Sequence, residues 1–266
     1  MRPVTVPGRP VAGAAGPGSV CLVICGPTAA GKTRLALALA NEMDLVAVSA
    51  DSRQIYRRFD VGTAKPSAAE RAILPHACLD LVEPTARYTA YAWAAEAERA
   101  EEQAARDGRI ALVVGGAGFY VRALVHPVTP DAPRGAERRA AHYLVVDPGA
   151  PLRGWIAART EAMVRGGWLE EVEGLAREIP PDAPAWQAAG YDAIRDHVEG
   201  RSTLSAAMER VTIATRQYAK RQRTWFRHQL PTGRVTHLDP RDSDALSRAA
   251  AWIRRHGGPA PGEESR

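Results

Sequence analysis

The stretch VCLVICGPTAAGKTRLALALA, residues 20–40, decides the fold. Residues 20–25 are an apolar run of strand type, and Arg34–Glu42 is a run of good helix formers. Between them Gly26, Pro27, Thr28, Ala29, Ala30, Gly31, Lys32 and Thr33 fill the pattern G-x-x-x-x-G-K-[ST] in full. A strand before and a helix after is the setting this pattern needs. The glycines permit a tight turn whose backbone N–H groups converge on phosphate oxygens. Lys32 adds a point charge, the helix N-terminus adds its dipole, and Thr33 is placed to hold Mg2+. The stretch announces a phosphate site and leaves open what the phosphate belongs to.

Working outward, LVAVSA (45–50), RIALVVGG (109–116) and AHYLVVDP (141–148) read as further buried strands. Helical patterns fall at 89–106, 151–165, 168–178, 191–198 and about 203–229. RVTHLD (234–239) suits a last strand, and 243–255 a last helix. This alternation predicts an α/β protein, a P-loop NTPase-like parallel sheet with flanking helices and a helical C-terminal part. The expected organisation is a tail over 1–19, a core over 20–240 with a short connection at 125–145, a terminal helix over 241–256 and a tail over 257–266. PVTPDAP (127–133) marks the connection as turn-rich.

The 266 residues suit one sizeable α/β unit, and 45% hydrophobic content is ordinary for a packed protein. A net charge of +5 hints at an anionic partner but is weak alone. Three cysteines without metal-type spacing read as buried thiols in a reducing compartment. No apolar run approaches the roughly 20 residues of a membrane helix, and residues 1–19 lack the apolar core of a signal peptide. A cytoplasmic monomer is expected, with no membrane partner.

A P-loop hydrolase usually carries an Asp at a strand end to organise its metal. The strand at 110–114 ends in Gly115-Gly116 instead, leaving Asp51 as the only carboxylate at a strand end near the loop. Asp51 would stand at the carboxyl edge of the sheet, where open α/β folds bind ligands; it would equally serve to cap a turn. The turn in VVGGAGFYVRAL faces the same edge and is also readable as a packing turn. In MERVTIATRQYAKRQRTWFRHQ (208–229) a helical count gathers Arg216, Lys220, Arg223 and Arg227 in one wedge. Val211, Ala214, Tyr218 and Trp225 fall opposite, so one face is expected to pack on the sheet. The basic wedge is either a solvated face or a site for polyphosphate or a nucleic-acid backbone.

Together these motifs resemble the tRNA dimethylallyltransferase family, which attaches a five-carbon prenyl group to N6 of adenosine 37 beside the tRNA anticodon. The matching stretches are GPTAAGKT (26–33), SADSRQIYRRFDVGTAKP (49–66) and GGAGFYVRAL (115–124). In the C-terminal part they are VDPGAPLRGWIAARTEAMVRGGWLEEVEGL (146–175), AGYDAIRDHVEG (189–200) and ATRQYAKRQRTWFR (214–227), all in the family's order. The resemblance implies that the loop holds the diphosphate of dimethylallyl diphosphate rather than ATP. It makes Asp51 the general base for a weakly nucleophilic exocyclic amine. Loop residues 26–33, Mg2+ on Thr33, and Arg216 would stabilise the charge that develops on the leaving diphosphate. Ser52, Arg53, Gln54, Ala117 and Gln217 match positions on the tRNA side. Lys220, Arg223 and Arg227 are candidates for the backbone of the anticodon stem-loop.

Three departures from the family pattern stand out. The Thr of its G-G-T-G-L-Y turn is Ala117 here, removing a hydrogen bond worth about 0.5–1.5 kcal/mol. Its paired histidines appear as Pro75-His76-Ala77. Its helical insertion, with a Q-R-[IL]-x-R segment, shrinks to HPVTPDAPRGAERRAAHYLV, where Arg134, Arg138 and Arg139 are the residues left to replace its charge. A trimmed RNA grip keeps other readings open: an adenine-nucleotide dimethylallyltransferase, a P-loop kinase or NTPase, or an RNA-binding relative without catalysis.

Overall fold

The computed structural model describes residues 20–126 and 139–257. Six strands form one parallel sheet: β1 (Cys21–Cys25), β2 (Leu45–Ala50), β3 (His76–Ala77), β4 (Ile110–Gly115), β5 (Ala141–Val146) and β6 (Val235–Leu238), in the order β3-β2-β4-β1-β5-β6. All five residues of β1 are buried, as an apolar run covered on both faces requires. One layer comprises α1 (Lys32–Ala40) and α9 (Ala245–His256), which pack together. On the other face lie α3 (Ala90–Arg106) and α4 (Gly118–Val125), with α6 (Trp168–Glu178), α7 (Tyr191–Val198) and α8 (Leu204–Gln229) of the helical part beyond them; α5 (Leu152–Arg165) buries Leu152 and Ile156 in the same cluster as α1 and α9. The chain runs from β1 to one side of the sheet and, after β4, crosses to β5 on the other. That makes the carboxyl end of β1 the switch point where the loops on either side diverge.

Local chemistry sets the element ends. Thr89 caps α3 by accepting from the Ala92 amide, and Trp93, Ala97, Glu101 and Ala104 then fall on the buried face at helical spacing. Trp93 donates Nε1 to the Ser49 carbonyl (2.9 Å) and stacks on Tyr120, fixing the end of β2. A Ser67–Glu70 capping box starts α2 (Ala68–Ile73), a short helix that the sequence reading passed over along with β3.

Two expectations need correction. The inner face of α8 packs on α7, α5 and α4 rather than on the sheet, and its buried residues are Ala207, Val211, Ala219, Gln222 and Phe226. Arg139 does not replace an insertion's charge: its guanidinium is paired with the buried Glu101 carboxylate at 2.6 Å. PVTPDAP, Arg134 and Arg138 lie outside the described residues. Cys21, Cys25 and Cys78 are buried free thiols, as expected. Among the described residues no helix is long and apolar enough to cross a membrane.

Candidate active site

The phosphate loop is shaped by close packing at β1. A Cβ on Gly26 would lie 2.2 Å from the Val146 carbonyl oxygen, and its φ of +139° is open only to glycine. Ala29 (φ 63°) and Gly31 (φ 89°) then turn the chain so that α1 starts at Lys32, two residues earlier than the helix formers suggest. Lys32 Nζ donates to the carbonyls of Gly26 (3.0 Å) and Pro27 (2.7 Å). Enclosure by protein lowers its pKa to about 8, with Arg159 acting in the same direction and Asp51 against it.

The adjoining strand ends complete the edge. Gly115 has no room for a Cβ, which would sit 2.1 Å from the Ala50 carbonyl, so β4 lies directly against β2 there. Ala117 donates its amide to the same carbonyl (3.0 Å). Asp51 follows β2, and its Oδ1 accepts from the Arg53 amide (2.8 Å); Oδ2 has no hydrogen bond among the described residues. The turn-capping and site readings of this residue are thus compatible. A second carboxylate also stands at the edge, contrary to expectation. Asp147 follows β5, which pairs directly with β1, whereas Asp51 leaves β2 on the far side of β4. Asp147 is held by Arg223 at 2.5 and 2.7 Å.

A cavity of 720 Å³ opens beside this edge. Thr28, Asp51 and Arg53 line it from the sheet, and Arg159, Tyr218 and Arg221 from α5 and α8; Trp168, Trp186 and Met163 supply apolar wall. Arg159 reaches Thr28 Oγ1 at 3.3 Å, and burial lowers its pKa while Asp51 opposes the shift. Burial and the Asp51 charge push the Tyr218 hydroxyl up to about 12, so it is a protonated donor at neutral pH.

The residues singled out in the sequence divide sharply. Thr28, Asp51 and Arg53 converge on the cavity. Arg216, Gln217, Lys220 and Arg227 are exposed on α8, and none of the four lines it. Gln54 turns inward: its amide donates to the carbonyls of Thr63 and Ala64 and accepts from Ser49 Oγ. Sequence reasoning missed Arg159, Arg221 and Gln222. Gln222 accepts from the Thr28 amide (2.7 Å) and donates to the Gly116 carbonyl (2.9 Å), tying the two glycine turns together. Its neighbours Ala219 and Phe226, at helical spacing, are the available signal that it faces inward.

A family model described as IPP transferase matches residues 54–144 and 133–229, and one described as isopentenyl transferase matches 19–78. A tRNA dimethylallyltransferase of Deinococcus radiodurans is 36% identical over 274 aligned positions, covering 78% of this chain and 90% of the relative. The chain belongs to the tRNA dimethylallyltransferase family. The enzyme of that name from Anaeromyxobacter dehalogenans is also 36% identical, over 85% of this chain and 97% of its own. The crystal structure of a Staphylococcus epidermidis tRNA isopentenylpyrophosphate transferase superposes with a TM-score of 0.78 at 23% identity, over 89% of this chain and 99% of that one, a likeness of fold. An alignment of 274 positions within 78% of a 266-residue chain means that the Deinococcus family member carries residues with no counterpart here. The two segments of the IPP transferase match overlap over residues 133–144, which run into β5.

Proposed function

We propose that this chain transfers the dimethylallyl group of dimethylallyl diphosphate to N6 of adenosine 37 in the anticodon stem-loop of tRNA. The observation that carries the reading is that the phosphate loop, through Thr28, and the Asp51 carboxylate face one cavity, with Arg159 beside both. The diphosphate lies on the loop amides, Lys32 and Arg159, and the prenyl chain against Met163, Trp168 and Trp186. N6 forms its bond to C1 as the C1–O bond breaks, and the bonding pair leaves on the diphosphate. The N6 proton passes to Asp51, whose Oδ1 is anchored by the Arg53 amide. Lys32 and Arg159 stabilise charge where it develops.

Mg2+ fits the donor set. It favours a few hard oxygen ligands together with substrate phosphates and retained waters, and Thr33 at the start of α1 supplies such an oxygen beside the loop. Among the described residues no cluster of three or more His, Cys, Asp or Glu forms a metal cage, and Thr33 is the ligand the loop would supply. When bound, the ion neutralises charge on the diphosphate. Lys220 and Arg227, exposed on α8, serve the RNA backbone; the protein acts as a cytoplasmic monomer.

The shortened connection favours one second reading, a free adenine nucleotide as acceptor. The test offers Mg2+ and dimethylallyl diphosphate with unmodified tRNA, and separately with AMP, ADP and ATP, and reads the added prenyl mass, with Asp51→Ala as control. Prenylated tRNA that disappears in the control supports the proposal. Prenylated nucleotide with untouched tRNA establishes the second reading, and no product in either overturns both.

A further inference from the structure

The segment after Asp51 lines the cavity but belongs to no helix or strand up to α2, so something must hold its shape. Residues 60–62 present three successive backbone amides to one side chain, Glu171 on α6. Its Oε2 accepts from the amides of Asp60 (2.8 Å) and Val61 (2.7 Å), and its Oε1 from that of Gly62 (3.4 Å) and from the Tyr191 hydroxyl (2.6 Å). Converging amides of this kind form an anion-binding concavity, and charge-assisted bonds into it are the strong ones.

The contacts continue inward. Gly62 and Thr63 line the cavity. The carbonyls of Thr63 and Ala64 accept from Gln54, whose Oε1 accepts from Ser49 Oγ on β2, two residues before Asp51. Gly62 is pressed against the indole of Trp168 and the ring of Tyr191: a Cβ there would meet them at 2.1 and 2.6 Å. Lys65, buried at the end of the segment, donates to the Tyr56 carbonyl and pairs with Asp60 and Asp80. Among the described residues, none of the hydrogen bonds of this web reaches the phosphate loop.

We infer that Glu171 is a positioning residue, whose carboxylate holds residues 60–64, and through Gln54 the Asp51 end of β2, in the shape that prenyl transfer requires. The inference rests on the prenyl-transfer reading above. Its neutral isostere, Glu171→Gln, keeps the volume but turns one acceptor oxygen into a donor facing backbone amides. The acceptor side of the cavity shifts while the phosphate loop stays, and displacements of about 1 Å cost up to ~100-fold in rate.

The test uses the full chain and measures kcat and KM with tRNA and dimethylallyl diphosphate, alongside calorimetric binding of inorganic pyrophosphate. For Glu171→Gln the expected result is a kcat lower by at least about tenfold with pyrophosphate affinity held within about twofold. Tyr191→Phe removes one bond of the four and is expected to show the same split at smaller amplitude; it decides the matter if Glu171→Gln does not fold. Unchanged kcat, or pyrophosphate affinity falling in step with kcat, overturns the positioning role. An inactive wild-type protein would instead overturn the underlying reading.

Discussion

Gln222 offers the sharpest test of how the site is assembled. It is 6% exposed, and its amide bridges the Thr28 N–H and the Gly116 carbonyl, the second of these bonds being fully buried. Leucine nearly preserves the volume and removes both bonds, leaving a donor and an acceptor unsatisfied. Each orphaned buried group costs about 1–3 kcal/mol, so Gln222→Leu is expected to destabilise the fold by roughly 2–5 kcal/mol, the Thr28 amide counting toward the low end because it is only partly buried. Against a typical stability of about 5–15 kcal/mol this is a large fraction and moves a urea midpoint well beyond error at constant m. Gln222→Glu separates the two bonds: the carboxylate still accepts from Thr28 but faces the lone pairs of Gly116. It should cost at least as much as losing one bond. A loss below about 0.5 kcal/mol for Gln222→Leu would mean that water or relaxation satisfies both groups, and would refute the claim that this side chain ties the turns together.

Three further outcomes follow from the geometry. Asp51→Asn is expected to lower kcat by about 100-fold or more while pyrophosphate affinity changes little; equal losses in both would remove Asp51 from the proton-transfer step. The Lys32 ammonium is held down to about 8, below its usual 10.5, chiefly by burial. Between those values the unfolded chain keeps a proton that the folded one has shed, so this group's contribution to stability rises with pH across that window, while the site loses a positive charge. Pyrophosphate affinity, followed by calorimetry from about pH 7 to about pH 9.5, should therefore fall above about pH 8; a flat profile would contradict the assignment. Finally, Lys220→Ala and Arg227→Ala should each reduce the salt dependence of tRNA binding by about one unit of slope, whereas Arg223→Ala, already paired with Asp147, should not.

Five of the six described strands and the phosphate loop were legible because their signals are local, whereas the two-residue β3 carries none. Cys21–Cys25 is apolar throughout, Gly26–Thr33 fills a fixed pattern, and Thr89 precedes a helical period that runs to Arg106. Asp51 was legible for the same reason: LVAVSA stops at it, and the sheet places every strand end of its kind on one edge. Strand order is not local. Asp147 looked remote from the loop in sequence, and only the pairing of β5 with β1 brings it alongside.

The arginines show the same limit on α8. A helical count ranks residues by angle but does not say which neighbours fill the opposite side. The count put Val211, Ala214, Tyr218 and Trp225 on the inner face; Val211 is buried there, and the actual neighbours, α7, α5 and α4, turn the face toward Ala219, Gln222 and Phe226. Arg216 stays exposed on the outer side, Arg223 comes to the boundary where Asp147 takes it, and Arg221 sits beside the Tyr218 ring and lines the cavity. The cationic partner of Thr28 comes from another helix altogether, as Arg159 of α5. Its identity depended on how the helical part folds back over the sheet edge, which no spacing within a single element encodes.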